Sequence, residues 1–247
     1  MIEVRDLRFR HPGAADETLR GVSFSIPPGG LVALMGANGS GKSTLARCLN
    51  GLLVPQAGSI RVDGFTRSDA ASPAAAGGTV GLVFQNPASQ VTSPTVEREI
   101  AFGLQSAGLP TDEIHARVDR TLREHGLEGL RGRSPSELSG GELQRVAVAA
   151  VMALAPRYLV LDEATSLLSA ESRRAILRRM HEERARGVGI LLITQFPAEA
   201  LEAERLLVLD RGAVALQGAP AELFARPGLM DAAGVPVPFR ARLGAAR

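Results

Sequence analysis

The chain has 247 residues, 45% hydrophobic and 22% charged, with a formal net charge of +2, enough for one large domain or two small ones with a sizeable core. Aromatic residues make up only 4% and there is no Trp, which disfavours a base-stacking nucleic-acid surface. The single Cys48 excludes an internal disulfide framework and fits a reducing compartment.

In chain order, Glu3, Arg5 and Asp6 interrupt any hydrophobic opening, so no secretory leader is expected. Leu31–Met35 reads as a short buried strand, and Thr44–Leu49 opens a helix in which Cys48 is a small buried filler. Between them lies GANGSGKST, Gly36 to Thr44, which satisfies the G-x-x-x-x-G-K-[ST] phosphate-loop pattern in its proper strand–loop–helix context. Gly39 and Gly41 let successive N–H groups of Asn38 to Thr44 turn toward an anion, and the helix N-terminus adds partial positive charge. Of 28 basic residues only Lys42 is lysine. Its slim point charge can reach the β- and γ-phosphates, where a planar guanidinium fits poorly. Ser43 is expected to offer its hydroxyl to Mg²⁺. This is a nucleotide site.

Further on, Ile114, Val118 and Leu122 recur at four-residue spacing in an amphipathic helix that Gly126 terminates. LSGGELQRVAVAAVMA, Leu138 to Ala153, opens a helix at Ser139, Gly140 and Gly141 with Glu142 in its first turn; alone it reads only as a good cap. Its apolar run Val146–Ala155 falls far short of the about 20 residues of a membrane span, so any membrane role must come through a partner. YLVLDEATS, Tyr158 to Ser166, is a buried strand ending in two adjacent carboxylates. Asp162 is placed to hold Mg²⁺, and Glu163, on the other side of the pleat, to accept a proton from an attacking water. Paired acids after a strand also cap helices; beside a phosphate loop, catalysis is the stronger reading. A helix (Glu171–Arg186), strand (Val188–Thr194), short helix, strand (Arg205–Asp210), hairpin, strand and helix follow. That alternation predicts a mostly parallel sheet with the ligand beyond its C-terminal edge.

With the phosphate loop, Gln85, LSGGE and the paired acids in this order, the chain resembles the ATP-binding cassette ATPases over nearly its whole length. The resemblance implies an α/β fold: a P-loop (RecA-like) core with a mostly parallel sheet, an N-terminal antiparallel β subdomain over the adenine side, and an inserted helical subdomain, about residues 87–153, within a cassette of residues 1–225. It implies ATP and Mg²⁺ as ligands, with Gln85 sensing the ion and the attacking water and joining core to helical subdomain. It also implies a second cassette packed head to tail, whose ATP is served by this chain's Ser139, Gly140 and Gly141. VGLVFQNPASQVTSPTVEREIAFG, Val80 to Gly103, looks like the ATPases of energy-coupling factor importers, the cobalt and vitamin transporters. Phosphate loop and signature lie only about 100 residues apart, leaving no room for the coiled coil of chromosome-maintenance ATPases.

Three positions depart from that pattern. The adenine-stacking aromatic falls on His11, in RFRHP, which can stack or stand as a surface turn residue before Pro12. The loop after the paired acids ends in Ser169 where aspartate is usual; serine keeps the helix cap and loses the charge. Gln195 stands where the family has a histidine on the γ-phosphate, and its amide still donates without ever becoming positive.

The expectation is an ATPase subunit at the cytoplasmic face of the cell membrane, working with transmembrane subunits and a second ATPase chain, preferably a different one, and not with nucleic acid. A regulatory nucleotide-binding module and a soluble non-transport cassette are the alternatives. The tail from Arg226 reads as a partly ordered dimer contact or a loose terminus.

Overall fold

The computed structural model describes residues 1–66 and 79–238. Two sheets pack against one of two core clusters. The first is antiparallel, in the order β2 (Leu19–Ile26), β1 (Ile2–Phe9), β4 (Ala57–Val62), β5 (Phe65–Thr66). The second has six strands: β10 (Ala213–Gly218), β9 (Arg205–Asp210), β3 (Leu31–Met35), β8 (Gly189–Ile193), β7 (Tyr158–Asp162) and β6 (Val80–Val83). It is parallel except for the β9–β10 hairpin. The expected architecture is thus present: a mostly parallel core sheet with an antiparallel β layer at the N-terminus.

Strands β3, β7 and β8 are buried at every residue, which explains their unbroken apolar sequences. Within β3, Leu31, Ala33 and Met35 pack into one core cluster, and Val32 and Leu34 into the other. The second cluster holds the antiparallel sheet and α1 (Lys42–Asn50), whose Leu45, Ala46, Cys48 and Leu49 are buried. Burial pushes the Cys48 thiol up to about 12, as its filler role requires. The Tyr158 hydroxyl donates to Asp63 at 2.6 Å and ties the start of β7 to the β4–β5 turn.

The first cluster holds the helical subdomain: α2 (Val96–Ser106), α3 (Thr111–Glu124) and α4 (Gly140–Ala153). Ile114, Val118 and Leu122 form the buried face of α3, and Gly126, at φ +62°, follows its end as expected. Then come α5 (Ala170–Ala185), α6 (Pro197–Ala200), α7 (Pro220–Phe224) and α8 (Pro227–Ala232). The tail differs from a loose terminus: Met230, Val235 and Val237 are buried in the first cluster, and Gly234 lies against Ala37 of the phosphate loop. Residues 239–247 lie outside the described residues.

Register positions the site. Leu34 pairs with Ile193, Ile193 pairs with Asp162, and Val83 pairs with Leu161. The loops that follow β3, β8, β7 and β6 therefore leave the sheet side by side at its C-terminal edge. Two loop bonds extend that ladder: Thr194 N–H to Leu34 O at 3.1 Å and Glu163 N–H to Ile193 O at 3.0 Å.

Candidate functional site

The phosphate loop leaves β3 at Gly36, where a Cβ would stand 2.2 Å from the Leu209 carbonyl oxygen; only glycine passes β9 so closely. Gly39 takes φ +79° with nothing within 4 Å of a Cβ, so the loop is open at that point. Ser40, Lys42 and Thr44 are buried at its floor. The Lys42 ammonium donates to the carbonyls of Gly36 at 2.9 Å and Ala37 at 3.1 Å and lies 3.7 Å from Glu163 Oε1. Its stem is 6% exposed, too confined for a guanidinium.

Asp162 and Glu163 are both buried at the end of β7. Burial, with Glu163 adding, raises the proton affinity of Asp162 above the ordinary carboxylate; the Ser43 hydroxyl and the charges of Arg47 and Lys42 oppose that rise. Asp162 Oδ1 and Ser40 Oγ are buried with no hydrogen-bond partner among the described residues. An unpaired carboxylate oxygen on Asp162, whose side chain also meets the Ser43 hydroxyl, would suit a hard divalent cation. The chain's donors therefore fit Mg²⁺ with a nucleotide.

Glu163 does not follow the pleat to the opposite side, as the strand pattern suggested. The strand ends at Asp162, and Glu163 takes φ +50°, a left-handed turn that costs a non-glycine residue about 1–3 kcal/mol. Ser166 holds the turn closed through its N–H at 3.0 Å and its hydroxyl at 2.9 Å, both donated to the Glu163 carbonyl. The carboxylate consequently turns back over the loop. Its Oε1 faces Lys42 while Oε2 accepts from Gln85 Nε2 at 3.0 Å and from Gln195 Nε2 at 2.6 Å. Gln85, Glu163 and Gln195 are thus one cluster, in which Gln195 gives its amide to the acid.

Gln85 is held through its neighbour. Phe84 N–H donates to Gln90 Oε1 at 2.9 Å, and Gln144 of α4 donates to the Phe84 carbonyl at 3.4 Å. Gln144 is buried and joins the helical subdomain to the Gln85 loop, a role that LSGGELQ did not reveal. His11 Nε2 shares a 3.2 Å hydrogen bond with Thr44 Oγ1, and its ring sits edge-on to Phe9 at 4.9 Å. The ring lies partly buried beside the loop rather than free in the turn.

Ser139, Gly140 and Gly141 stand apart. The start of α4 carries a full capping box, in line with the cap read from this stretch: Ser139 Oγ accepts from Glu142 N–H at 3.3 Å and Glu142 Oε2 accepts from Ser139 N–H at 2.9 Å. Gly140 and Gly141 stand in the first turn, whose N–H groups have no intrahelical acceptor. Ser139 and Gly140 are exposed. A Cβ on Gly141 would meet Ser172 Oγ at 2.7 Å. Ser172 belongs to the turn capped by Ser169, whose Oγ accepts from Ser172 N–H at 3.2 Å. Serine at 169 therefore does keep the cap.

A model of the ABC transporter family matches residues 19–166, from the start of β2 past the paired acids and short of Gln195. The energy-coupling factor transporter ATP-binding protein EcfA of Syntrophomonas wolfei is 42% identical over 225 residues, covering 91% of this chain and 82% of that protein. EcfA1 of Lactiplantibacillus plantarum is 41% identical over 249 residues, 100% of this chain and 88% of that one. Among solved structures, cbiO1 of Clostridium perfringens, part of the ABC transporter complex cbiONQ, superposes with a TM-score of 0.80 at 31% identity over 98% of each chain. An ATP-binding subunit of an ABC transporter superposes at 0.81 with 28% identity over 100% of both chains. A strand-held phosphate loop, paired acids at the same sheet edge, a signature helix exposed at its start and these likenesses over the whole length agree: the chain belongs to the ATP-binding cassette family of transporter ATPases, among the energy-coupling factor transporter ATP-binding proteins.

Proposed function

We propose that this chain binds and hydrolyses ATP as one half of a nucleotide-sandwich pair and so energises a membrane importer of energy-coupling factor type, for a vitamin or a transition-metal ion. One observation carries the reading. Lys42, Asp162, Glu163, Gln85 and Gln195 converge on the phosphate loop, whereas Ser139–Gly141 open a separate helix whose start is capped by Ser139 and Glu142 and is exposed at Ser139 and Gly140. A site complete on one side, with an exposed helix terminus standing apart, suits two cassettes that complete each other.

Within the site, Lys42 and the N–H groups of Asn38 to Thr44 hold the phosphates, and His11 lines the adenine side. Ser43, Asp162 and Gln85 hold Mg²⁺, which when bound neutralises developing phosphate charge. Glu163 accepts the proton of the attacking water, and Gln85 and Gln195 orient its carboxylate. Ser139, Gly140 and Gly141 serve the partner's γ-phosphate. No helix among the described residues is long and apolar enough to cross a membrane; in this reading transmembrane subunits supply the channel and the chain docks on their cytoplasmic face.

The partner is a second, different cassette. Gln195 and Ser169 leave the nucleotide-holding groups in place and remove two charges that tune catalysis, which suits a slow site here and a faster one across the pair. Hydrogen bonds to charged groups contribute about 1.5–3 kcal/mol against about 0.5–1.5 for neutral ones, so a glutamine here slows hydrolysis about tenfold without abolishing it. Single-turnover hydrolysis by the purified chain, compared with Gln195→His, tests this. A wild-type rate equal to that of the full transporter, with no gain from the substitution, defeats the unequal pair. Glu163→Gln tests the hydrolytic reading itself: it traps ATP in an ATPase and changes little in a regulatory module.

A further inference from the structure

Behind Glu163 and Gln195 lies a carboxylate that the nucleotide site does not touch. Glu199, on α6, is 2% exposed. It accepts from the Thr165 hydroxyl, at 2.8 Å to Oε1 and 3.1 Å to Oε2, and from the Thr194 hydroxyl at 2.5 Å to Oε2. Both threonines are buried. Arg173, from the first turn of α5, places Nε 3.7 Å from Glu199 Oε1 and its guanidinium carbon 3.7 Å from the centre of the Phe196 ring. Glu199 sits where a capping-box acid would take the N–H of Phe196, yet Thr194 Oγ1 accepts that N–H at 3.0 Å. The buried charge is therefore committed to the two hydroxyls and to Arg173 rather than to capping its own helix.

Thr165 follows Glu163 by two residues, and Thr194 immediately precedes Gln195. The bonds close a ring: Glu163 through the backbone to Thr165, its hydroxyl to Glu199, Glu199 to Thr194, the backbone to Gln195, and Gln195 back to Glu163 at 2.6 Å. We propose that Glu199 is a positioning residue for hydrolysis, fastening from behind the two loops that bring Glu163 and Gln195 together. This rests on the reading of Glu163 as proton acceptor. A buried carboxylate is costly unless it is paired and hydrogen-bonded, so the ring has one low-energy arrangement. Glu163 already sits in a left-handed turn, and a loop freed at Thr165 relaxes that turn and carries the carboxylate off its place over Lys42. The phosphate loop has no member in the ring and meets it where Lys42 faces Glu163, while the carbonyls of Gly36 and Ala37 still hold Lys42, so nucleotide affinity is expected to change little.

The test uses the full chain in its transporter complex with Glu199→Gln, Thr165→Val and Thr165→Ser. Turnover and KM for ATP are measured, together with ATP binding to the purified chain and amide hydrogen exchange by mass spectrometry. Glu199→Gln is expected to lower kcat about tenfold or more while KM and ATP affinity stay within about twofold, the signature of a displaced reacting group. Exchange rises in peptides covering residues 163–169 and 194–199 and not in the phosphate loop. Thr165→Val follows in the same direction, and Thr165→Ser, which keeps the hydroxyl, restores most of the turnover. Unchanged kcat in both Glu199→Gln and Thr165→Val overturns the proposal, as does loss of ATP affinity with exchange rising everywhere. Absence of hydrolysis in the wild-type complex defeats the catalytic reading separately. The exchange pattern then decides alone, and unaltered protection in either loop overturns the fastening role.

Discussion

The molecule presents two helix N-termini shaped for phosphate, and they are finished differently. At α1 the chain encloses the terminus with its own groups: Lys42 is buried, Glu163 stands over it, and Ser43 faces Asp162. At α4 it satisfies only what a stable helix requires, the Ser139–Glu142 capping box, and leaves Gly140 exposed. The contrast teaches which half of a shared site each terminus builds. On the proposed function, the enclosed one holds the nucleotide, while the open one serves a nucleotide that arrives on the partner cassette.

The largest effect is expected at Lys42. Lys42→Ala removes a charge-assisted contact of about 1.5–3 kcal/mol and is expected to weaken ATP binding about a hundredfold, measured by titration of the purified chain. Lys42→Arg fails similarly, since the buried stem leaves no space for a planar fork. Retained affinity in both would mean that the enclosed terminus is not the ligand's anchor. At the other terminus, Gly141→Val places a side chain against Ser172. Binding of ATP to the purified chain stays unchanged while hydrolysis by the assembled transporter falls about tenfold or more, as when one transition-state donor is lost. Loss of the chain's own ATP binding would refute the division of labour.

Acid sharpens the contrast. His125, at the end of α3, has its pKa held down from the usual 6.5 to about 3 by burial and by the charges of Arg179, Arg145 and Arg186. It is neutral when folded and takes a proton when unfolded, so its contribution to stability is present above 6.5 and is lost as pH falls from 6.5 toward 3. Glu124, one residue before it, pairs with Arg179 of α5 at 2.7 Å, so this junction joins the helical subdomain to the core. Thermal melts are expected to drop over that interval, and the drop shrinks in His125→Gln. The smallest effect belongs to α1: the Cys48 thiol, held near 12 by burial, resists thiol-specific reagents until the chain unfolds. Rapid labelling of the native chain would show α1 less enclosed than the comparison holds.

Legibility in the sequence followed the range of the physics. The phosphate loop was readable because its determinants are local: glycines that permit the path, one lysine of the right shape, and a strand and helix flanking them. The cap at Ser169 and the end of α3 at Gly126 were readable for the same reason. The direction of Glu163 was misread, because alternation along a strand says nothing about a residue just past its end. Thr165, Thr194 and Glu199 carried no signal at all. The sequence places PAEA in a short helix after β8 and says nothing of burial, whereas Glu199 is buried where the loops after the paired strands β7 and β8 meet. The tail reads from sequence as a partly ordered dimer contact or a loose terminus, and no local pattern shows the core surface that takes up Met230, Val235 and Val237.

The sequence by itself determined the chemistry available: a phosphate cradle, two acids after a buried strand, a signature helix, and a glutamine that can donate but never charge. Tertiary structure decided how those groups meet. It turned Glu163 back over Lys42, gave the Gln195 amide to that acid rather than to an open site, and closed the ring through Glu199. Residue type fixes which bonds a side chain can make, whereas the register between strands distant in sequence fixes which partner is within reach.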